Sequence, residues 1–321
     1  MAKILIIRFS SIGDIVLTTP VVRALKRDAE AEVHYITKKK FTDVLINNPF
    51  VDKIFTFEKE ITEILSQLKS EKYDYLIDLH KNLRSARLKQ ALNIPSKSFN
   101  KLNIEKWLRV ALKFDMLPKV HIVDRYFEAV KFLNLNYDGQ GLDYFITDKD
   151  RKAVELLPVS CNKGYVSLVV GGAHYTKQIT TDQIIKLVNL SPLPVVLLGG
   201  KSDNEKAKEI IKSTGDKAFD ATGKFSLNES AALVEGAEKV ITSDTGLMHI
   251  AAAFGKEIVS LWGNTIPEFG MYPLFPKGDE GKSKILEVKN LRCRPCSKIG
   301  FDKCPKGHFK CIKNIDLGSV F

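Results

Sequence analysis

Short runs of Ile, Val and Leu alternate along this chain with longer stretches in which apolar residues recur every three or four positions. The runs are apolar on both faces, as strands of a parallel sheet covered on both sides must be, and the longer stretches read as amphipathic helices. In the first half the pattern predicts strands at 3–8, 32–36, 52–57 and 74–79, with helical stretches beginning near Gly13, Lys40, Glu60 and Asn82. It then repeats, with strands at 164–170, 194–198, 217–220, 238–242 and 257–262 and helices beginning near Thr181, Asp203, Leu227 and Thr245. Between the halves, residues 134–141 and 158–164 carry turn formers and little periodicity, which places a boundary at 155–162 and divides the chain into domains 1–158 and 159–321. The expected architecture is α/β: two doubly wound, Rossmann-like domains facing a central cleft. Ligands in such sheets bind beyond the carboxyl ends of the strands, so the loops after each strand are where chemistry should lie.

Composition narrows this picture without changing it. A chain of 321 residues fits about two domains, and 44% hydrophobic with 27% charged residues excludes disordered and collagen-like classes. No apolar run approaches the ~18 residues of a membrane-spanning helix. Arg8 interrupts the N-terminal apolar run after four strong apolar residues, too early for a signal peptide, so a cytoplasmic protein is expected. The net charge of +11 is concentrated: residues 81–125 hold eleven Lys and Arg against three acids, and residues 282–313 hold ten against two. Clustered cations suit an anionic partner, although a solvated lysine-rich face accounts for charge alone more simply. No helix-turn-helix, zinc-finger or RNP signature accompanies them, so no nucleic-acid partner is expected.

Two loops stand out. The first strand runs into Phe9-Ser10-Ser11-Ile12-Gly13-Asp14, which places Asp14 at the start of a helix carrying Pro20 in its first turns. There the exposed N–H groups and the helix dipole favour an ionised carboxylate, the state a general base needs. A plain helix cap by Asp14 or Ser11 accounts for the same residues equally well. Gly-x-Gly-x-x-Gly and Gly-Lys-Ser/Thr are both absent here, which removes the main signal for dinucleotide redox chemistry or a P-loop. In the second half, Ser243-Asp244-Thr245-Gly246-Leu247-Met248-His249 again joins a strand to a helix. Its N–H groups and hydroxyl form either an anion site for phosphate or a simple cap, with His249 a ligand contact or a core histidine. Gly171-Gly172-Ala173-His174-Tyr175-Thr176-Lys177 and Gly199-Gly200 follow neighbouring strands at the same sheet edge.

These loops carry a resemblance. Residues 9–20 (FSSIGDIVLTTP), 78–85 (DLHKNLRS), 221–227 (ATGKFSL) and 243–253 (SDTGLMHIAAA) resemble glycosyltransferase family 9, the ADP-heptose:lipopolysaccharide heptosyltransferases. The matches keep the family's order and extend past residue 300 through Leu261-Trp262-Gly263-Asn264-Thr265 and a cysteine-rich tail. The resemblance implies a GT-B fold, an ADP-sugar donor in the C-terminal domain, a lipid-linked anionic glycan acceptor in the N-terminal domain, and inverting transfer that requires no metal or other cofactor. Asp14 matches the base that deprotonates the acceptor hydroxyl. Thr176, Lys177, Asp244, Thr245, Gly246, Met248 and His249 match donor-binding positions, and Ser10, Ser11, Gly13, Asn82, Arg84 and Ser85 match acceptor-side positions. Two departures bear on specificity: Lys177 is followed by Gln178-Ile179-Thr180 where the family often has Lys-Arg-Trp, and His80 stands where Gln is expected. Other readings are a family member using another nucleotide sugar or glycolipid, and a non-catalytic nucleotide-sugar-binding protein.

Cys293, Cys296, Cys304 and Cys311, with His308 among them, are candidate ligands of a structural zinc. Reduced thiols packing a C-terminal loop are the competing reading. Residues 106–114 can form a helix with an aromatic-apolar face flanked by cations, which suits either a core helix or one lying on the cytoplasmic face of an inner membrane. The lipid-linked acceptor implied by the family favours the peripheral-membrane option.

Overall fold

The computed structural model describes residues 1–321 as two compact units: Met1–Lys101 with Val120–Phe145, and Leu102–Lys119 with Ile146–Phe321. The chain therefore passes between units three times, and residues 102–119 group with the second unit although they lie in the first half of the sequence. The last passage is at Phe145/Ile146, before the 158/159 boundary expected from turn formers.

The first unit contains a five-stranded parallel sheet: β1 (Lys3–Ile7), β2 (Glu32–Lys38), β3 (Lys53–Phe57), β4 (Tyr75–Asp78) and β5 (Ser96–Ser98), in the order β3-β2-β1-β4-β5. The second has six parallel strands: β6 (Val166–Val169), β7 (Val195–Leu198), β8 (Ala218–Asp220), β9 (Lys239–Ser243), β10 (Glu257–Trp262) and β11 (Ser283–Glu287), in the order β11-β10-β9-β6-β7-β8. Both are doubly wound. The winding reverses between β1 and β4 in one sheet and between β6 and β9 in the other, so crevices open beyond the carboxyl ends of those strands.

All nine strands expected from apolar runs are present. The two further strands, β5 and β11, lie at sheet edges, and their sequences, Ser-Lys-Ser and Ser-Lys-Ile-Leu-Glu, carry little of the apolar signal of a covered strand. The single helix expected after β1 is two, Ile12–Val16 and Thr19–Arg27. Pro20 takes one of the first two positions of the second, where its missing N–H has no intrahelical partner to lose.

Each unit has its own core. In the first, Leu5, Ile7, Phe9, Phe55, Phe57 and Leu76 pack on one face of the sheet. In the second, the C-terminal residues Phe309, Cys311, Ile312, Ile315, Leu317 and Val320 join Leu168, Leu197 and Leu261. The cysteine-rich tail is thus tied at its end into a core rather than hanging from the surface.

Candidate active site

In the first unit, Arg8 follows β1 into the crevice. Its guanidinium donates to Leu79 O at 2.6 Å, Ser10 O at 2.8 Å and the Tyr126 hydroxyl at 3.3 Å. Its Nη2 lies 2.6 Å from Asp14 Oδ1. The other oxygen of Asp14 accepts the Ser11 hydroxyl at 2.7 Å and the Ser11 N–H at 3.1 Å. Burial alone raises a carboxyl's pKa, but Arg8 and Ser11 together outweigh it and hold Asp14 down at about 2. Asp14 is therefore an oriented carboxylate that is ionised at neutral pH, and 22% of its side chain stays accessible.

The neighbouring loop after β4 is fixed by Asp78, which is fully buried and accepts the His80 and Lys81 N–H groups and the Ser85 hydroxyl. Asn82 and Ser85 exchange hydrogen bonds of 2.9 Å in both directions and cap helix Leu83–Leu92. Their side chains serve the loop's geometry, whereas Arg84 is partly exposed, over the Phe57 ring and 4.0 Å from Glu60. His80 packs on Phe9 with ring centroids 4.9 Å apart, and burial, reinforced by the Arg8 charge, pushes its pKa down to about 4. A neutral imidazole thus stands beside the Arg8–Asp14 pair. Arg8 entered the sequence reading only as the residue ending an apolar run. Its signal was there, because a cation following four buried strand residues needs a buried counter-charge.

In the second unit, β9 ends at Ser243 and Thr245 begins helix Gly246–Ala253. The ammonium of Lys177 and the hydroxyl of Thr265 both reach Asp244 Oδ2, the latter at 3.1 Å. The Thr245 hydroxyl lies 3.0 Å from that of Thr242. Lys177, Asp244, Thr245 and Gly246 are therefore brought together at the helix start. Met248 and His249 are buried one turn along, and Thr176 is buried beneath its loop. Asn264 is 1% exposed, yet neither its amide oxygen nor its nitrogen has a protein partner, and the buried Ser243 hydroxyl has none either.

The sequence description of glycosyltransferase family 9 (heptosyltransferase) matches residues 61–299. The chain belongs to this family. It is 26% identical over 290 residues to lipopolysaccharide heptosyltransferase 1 of Campylobacter coli, covering 82% of this chain and 84% of that one. Among solved structures it is similar to a family 9 glycosyltransferase of Veillonella parvula (TM-score 0.72, 23% identity, 89% of this chain and 86% of that one). The ADP-heptose lipopolysaccharide heptosyltransferase II of Escherichia coli aligns over 97% of this chain and 98% of its own (TM-score 0.71, 19% identity). The fold is GT-B, and the protein is a glycosyltransferase.

In this family 9 enzyme the cysteine-rich tail braces the second-unit loops from behind. Thr176 donates its N–H and its hydroxyl to Phe301 O, each at 3.1 Å, and its oxygen accepts the Phe301 N–H at 2.8 Å. Arg294 donates to Gly263 O at 2.6 Å and Thr265 O at 2.9 Å while pairing with Glu287. The Cys296 N–H reaches Asn264 O at 3.1 Å. Gly263 is required by this packing, since a Cβ there would lie 2.6 Å from Ile312 and 2.9 Å from Thr176 O. All four tail cysteines are free thiols. Cys293 Sγ is 3.8 Å from His308 Nε2, while burial and neighbouring thiols push Cys296 up to about 11 and Cys311 up to about 12. The ligand atoms that close to within 4.8 Å of one another are instead those of Glu32, His34 and Glu71. There Lys3 and Lys53 already neutralise the carboxylates, and both His34 nitrogens have partners at 2.9 Å.

Proposed function

We propose that this glycosyltransferase moves a heptose from ADP-heptose to a sugar hydroxyl of the anionic inner core of lipopolysaccharide, with inversion at the anomeric carbon. The observation carrying this reading is the Arg8–Asp14 pair: a carboxylate held ionised and oriented at the crevice beyond β1, with its side chain partly open to solvent. Each carboxylate oxygen has two lone pairs, so the bonds to Arg8 and Ser11 leave capacity to accept the acceptor's hydroxyl proton.

As the acceptor oxygen forms its bond to C1, its proton passes to Asp14, and the C1–O bond to ADP breaks with both electrons leaving on the diphosphate. Attack from the face opposite ADP gives inversion. A base held at about 2 is weak, so proton transfer comes late, when bond formation has already acidified the hydroxyl. Charge on the departing diphosphate is met by Lys177 and by the N–H groups opening helix Gly246–Ala253, with Thr245 and Gly246 closest to it. Arg84 offers a guanidinium to phosphate or carboxylate groups of the acceptor. Thr176 acts through Phe301, holding Lys177's loop against the tail.

The test is turnover with ADP-heptose and a purified Kdo-lipid A or core-heptose acceptor, followed by product mass and the anomeric configuration of the new linkage. Acceptor-dependent ADP release with inverted configuration is expected. A retained configuration overturns the single-displacement chemistry, and turnover only with a different nucleotide sugar overturns the donor.

A further inference from the structure

The helix Asn103–Ala111 has no buried residue. Its apolar positions should form the side that packs inward, yet Ile104 and Trp107, one turn apart, face out. With Leu112, Phe114 and Met116 they are between 56% and 72% exposed. The reading of Trp107 and Phe114 as core residues therefore fails. Five large apolar side chains exposed within thirteen residues mark a surface that meets something other than water.

Their surroundings say what. Residues 102–119 carry four cations against two acids, and residues 289–310 carry seven against one. The structure joins the two stretches: Lys113 donates to Pro295 O at 2.6 Å and to Cys293 O at 3.4 Å, and Lys106 lies over the Phe269 ring. On the tail that Lys113 holds, Arg292, Lys298, Lys303 and Lys306 are exposed, as is Ile299. The part of the first basic region that belongs to the second unit, residues 102–119, thus lies against the basic tail, and the same residues carry the exposed aromatic-apolar stripe.

We propose that residues 102–119, with the exposed tail residues 292–306, form a docking surface for an anionic lipid bilayer, Trp107 and Phe114 entering the headgroup boundary and the tail cations lying on acidic headgroups. An amphipathic helix binds a membrane through these two contributions, buried apolar area and attraction to anionic lipid. Charge also argues against the simplest other occupant. A second copy would bring the same cations against each other, on a chain of net charge +11, whereas an anionic bilayer supplies both the opposite charge and an apolar interior.

The experiment uses the intact protein and vesicles of phosphatidylcholine alone or in equal mixture with phosphatidylglycerol. It reads co-sedimentation and tryptophan emission. The chain has two tryptophans and Trp262 is buried, so a vesicle-induced blue shift belongs to Trp107. Expected are binding and a blue shift with the mixed vesicles, loss of both at high salt, and little binding to phosphatidylcholine alone. A Trp107→Ser/Phe114→Ser double variant should bind at least about tenfold more weakly, and a Lys298→Glu/Lys303→Glu variant should bind more weakly with the Trp107 signal intact. Thermal unfolding of each variant checks that it is folded. Absence of binding by wild type, equal binding by the double variant, or equal binding to both vesicle types overturns the proposal. So does a concentration-dependent dimer that the double variant abolishes without any vesicle binding, which would assign the surface to a second copy. The vesicle readout stands whether or not the donor and acceptor proposed above are right.

Discussion

Arg8 and Asp14 form a pair whose electrostatics can be tested apart from its chemistry. Removing the guanidinium in Arg8→Met leaves burial opposed only by the two Ser11 hydrogen bonds, so the pKa of Asp14 should rise from about 2 toward the ordinary carboxylate value near ~3.9. The acid limb of kcat/KM should move to higher pH, readable in a pH–rate profile, and an unmoved limb would show that Arg8 does not set the ionisation of Asp14. The pair also bears on stability. Because the folded pKa of Asp14 lies below the unfolded one, its contribution is complete above ~3.9 and is lost as pH falls toward about 2. His80 works in the same direction over a different range. Its folded pKa of about 4 lies below the unfolded value near ~6.5, so the unfolded chain takes up the extra proton and stability falls as pH drops from ~6.5 toward 4. Urea midpoints at pH 7 and pH 4.5 should therefore differ less in His80→Gln than in wild type; an unchanged difference would place that sensitivity elsewhere, His34 being the next candidate. At this scale the sequence was readable where a residue stands beside a recognisable loop motif, as Asp14 does. It was less explicit on Arg8, whose partners Asp14, Leu79 and Tyr126 only the packed sheet brings to it.

The elements explain why. Strands covered on both faces announce themselves as apolar runs, and all nine such runs became strands. Edge strands need no such covering, and β5 and β11 were invisible for that reason. The loops at the two winding reversals were legible because they combine glycine, hydroxyl and acidic residues directly after a strand. Their bracing by the tail was not, since Thr176 and Phe301 are 125 residues apart in sequence. Thr176→Val keeps the shape but removes both hydrogen bonds of the hydroxyl, with an expected destabilisation of about 1–3 kcal/mol and weaker donor binding through displacement of Lys177. Gly263→Ala should do the same by steric means, because the nearest backbone atom, Thr176 O, belongs to the same loop. Calorimetric titration with ADP checks both. Undiminished affinity in either variant would show that the tail brace does not position the donor loop.

For the molecule as a whole, two doubly wound units were foreseeable from the repeated strand-helix alternation, but the path between them was not. Residues 102–119 have no strand, their one breaker, Pro118, does not mark them as part of the second unit, and a contact tying them to it, Lys113 to the 293–295 backbone, spans 180 residues or more. The charge windows were visible as composition, while the contact of residues 102–119 with the basic tail required the fold. No helix is long and apolar enough to cross a membrane. The family places the protein among glycosyltransferases, and the transfer proposed for it turns on one carboxylate. The most direct test compares single turnover of wild type and Asp14→Asn at saturating ADP-heptose and acceptor, with ADP affinity and cooperative thermal unfolding measured on the same preparations. The variant should fold and bind ADP as wild type does while transfer slows by about 10²- to 10⁴-fold. Transfer within a few-fold of wild type by a folded variant would contradict this and move the base to another residue.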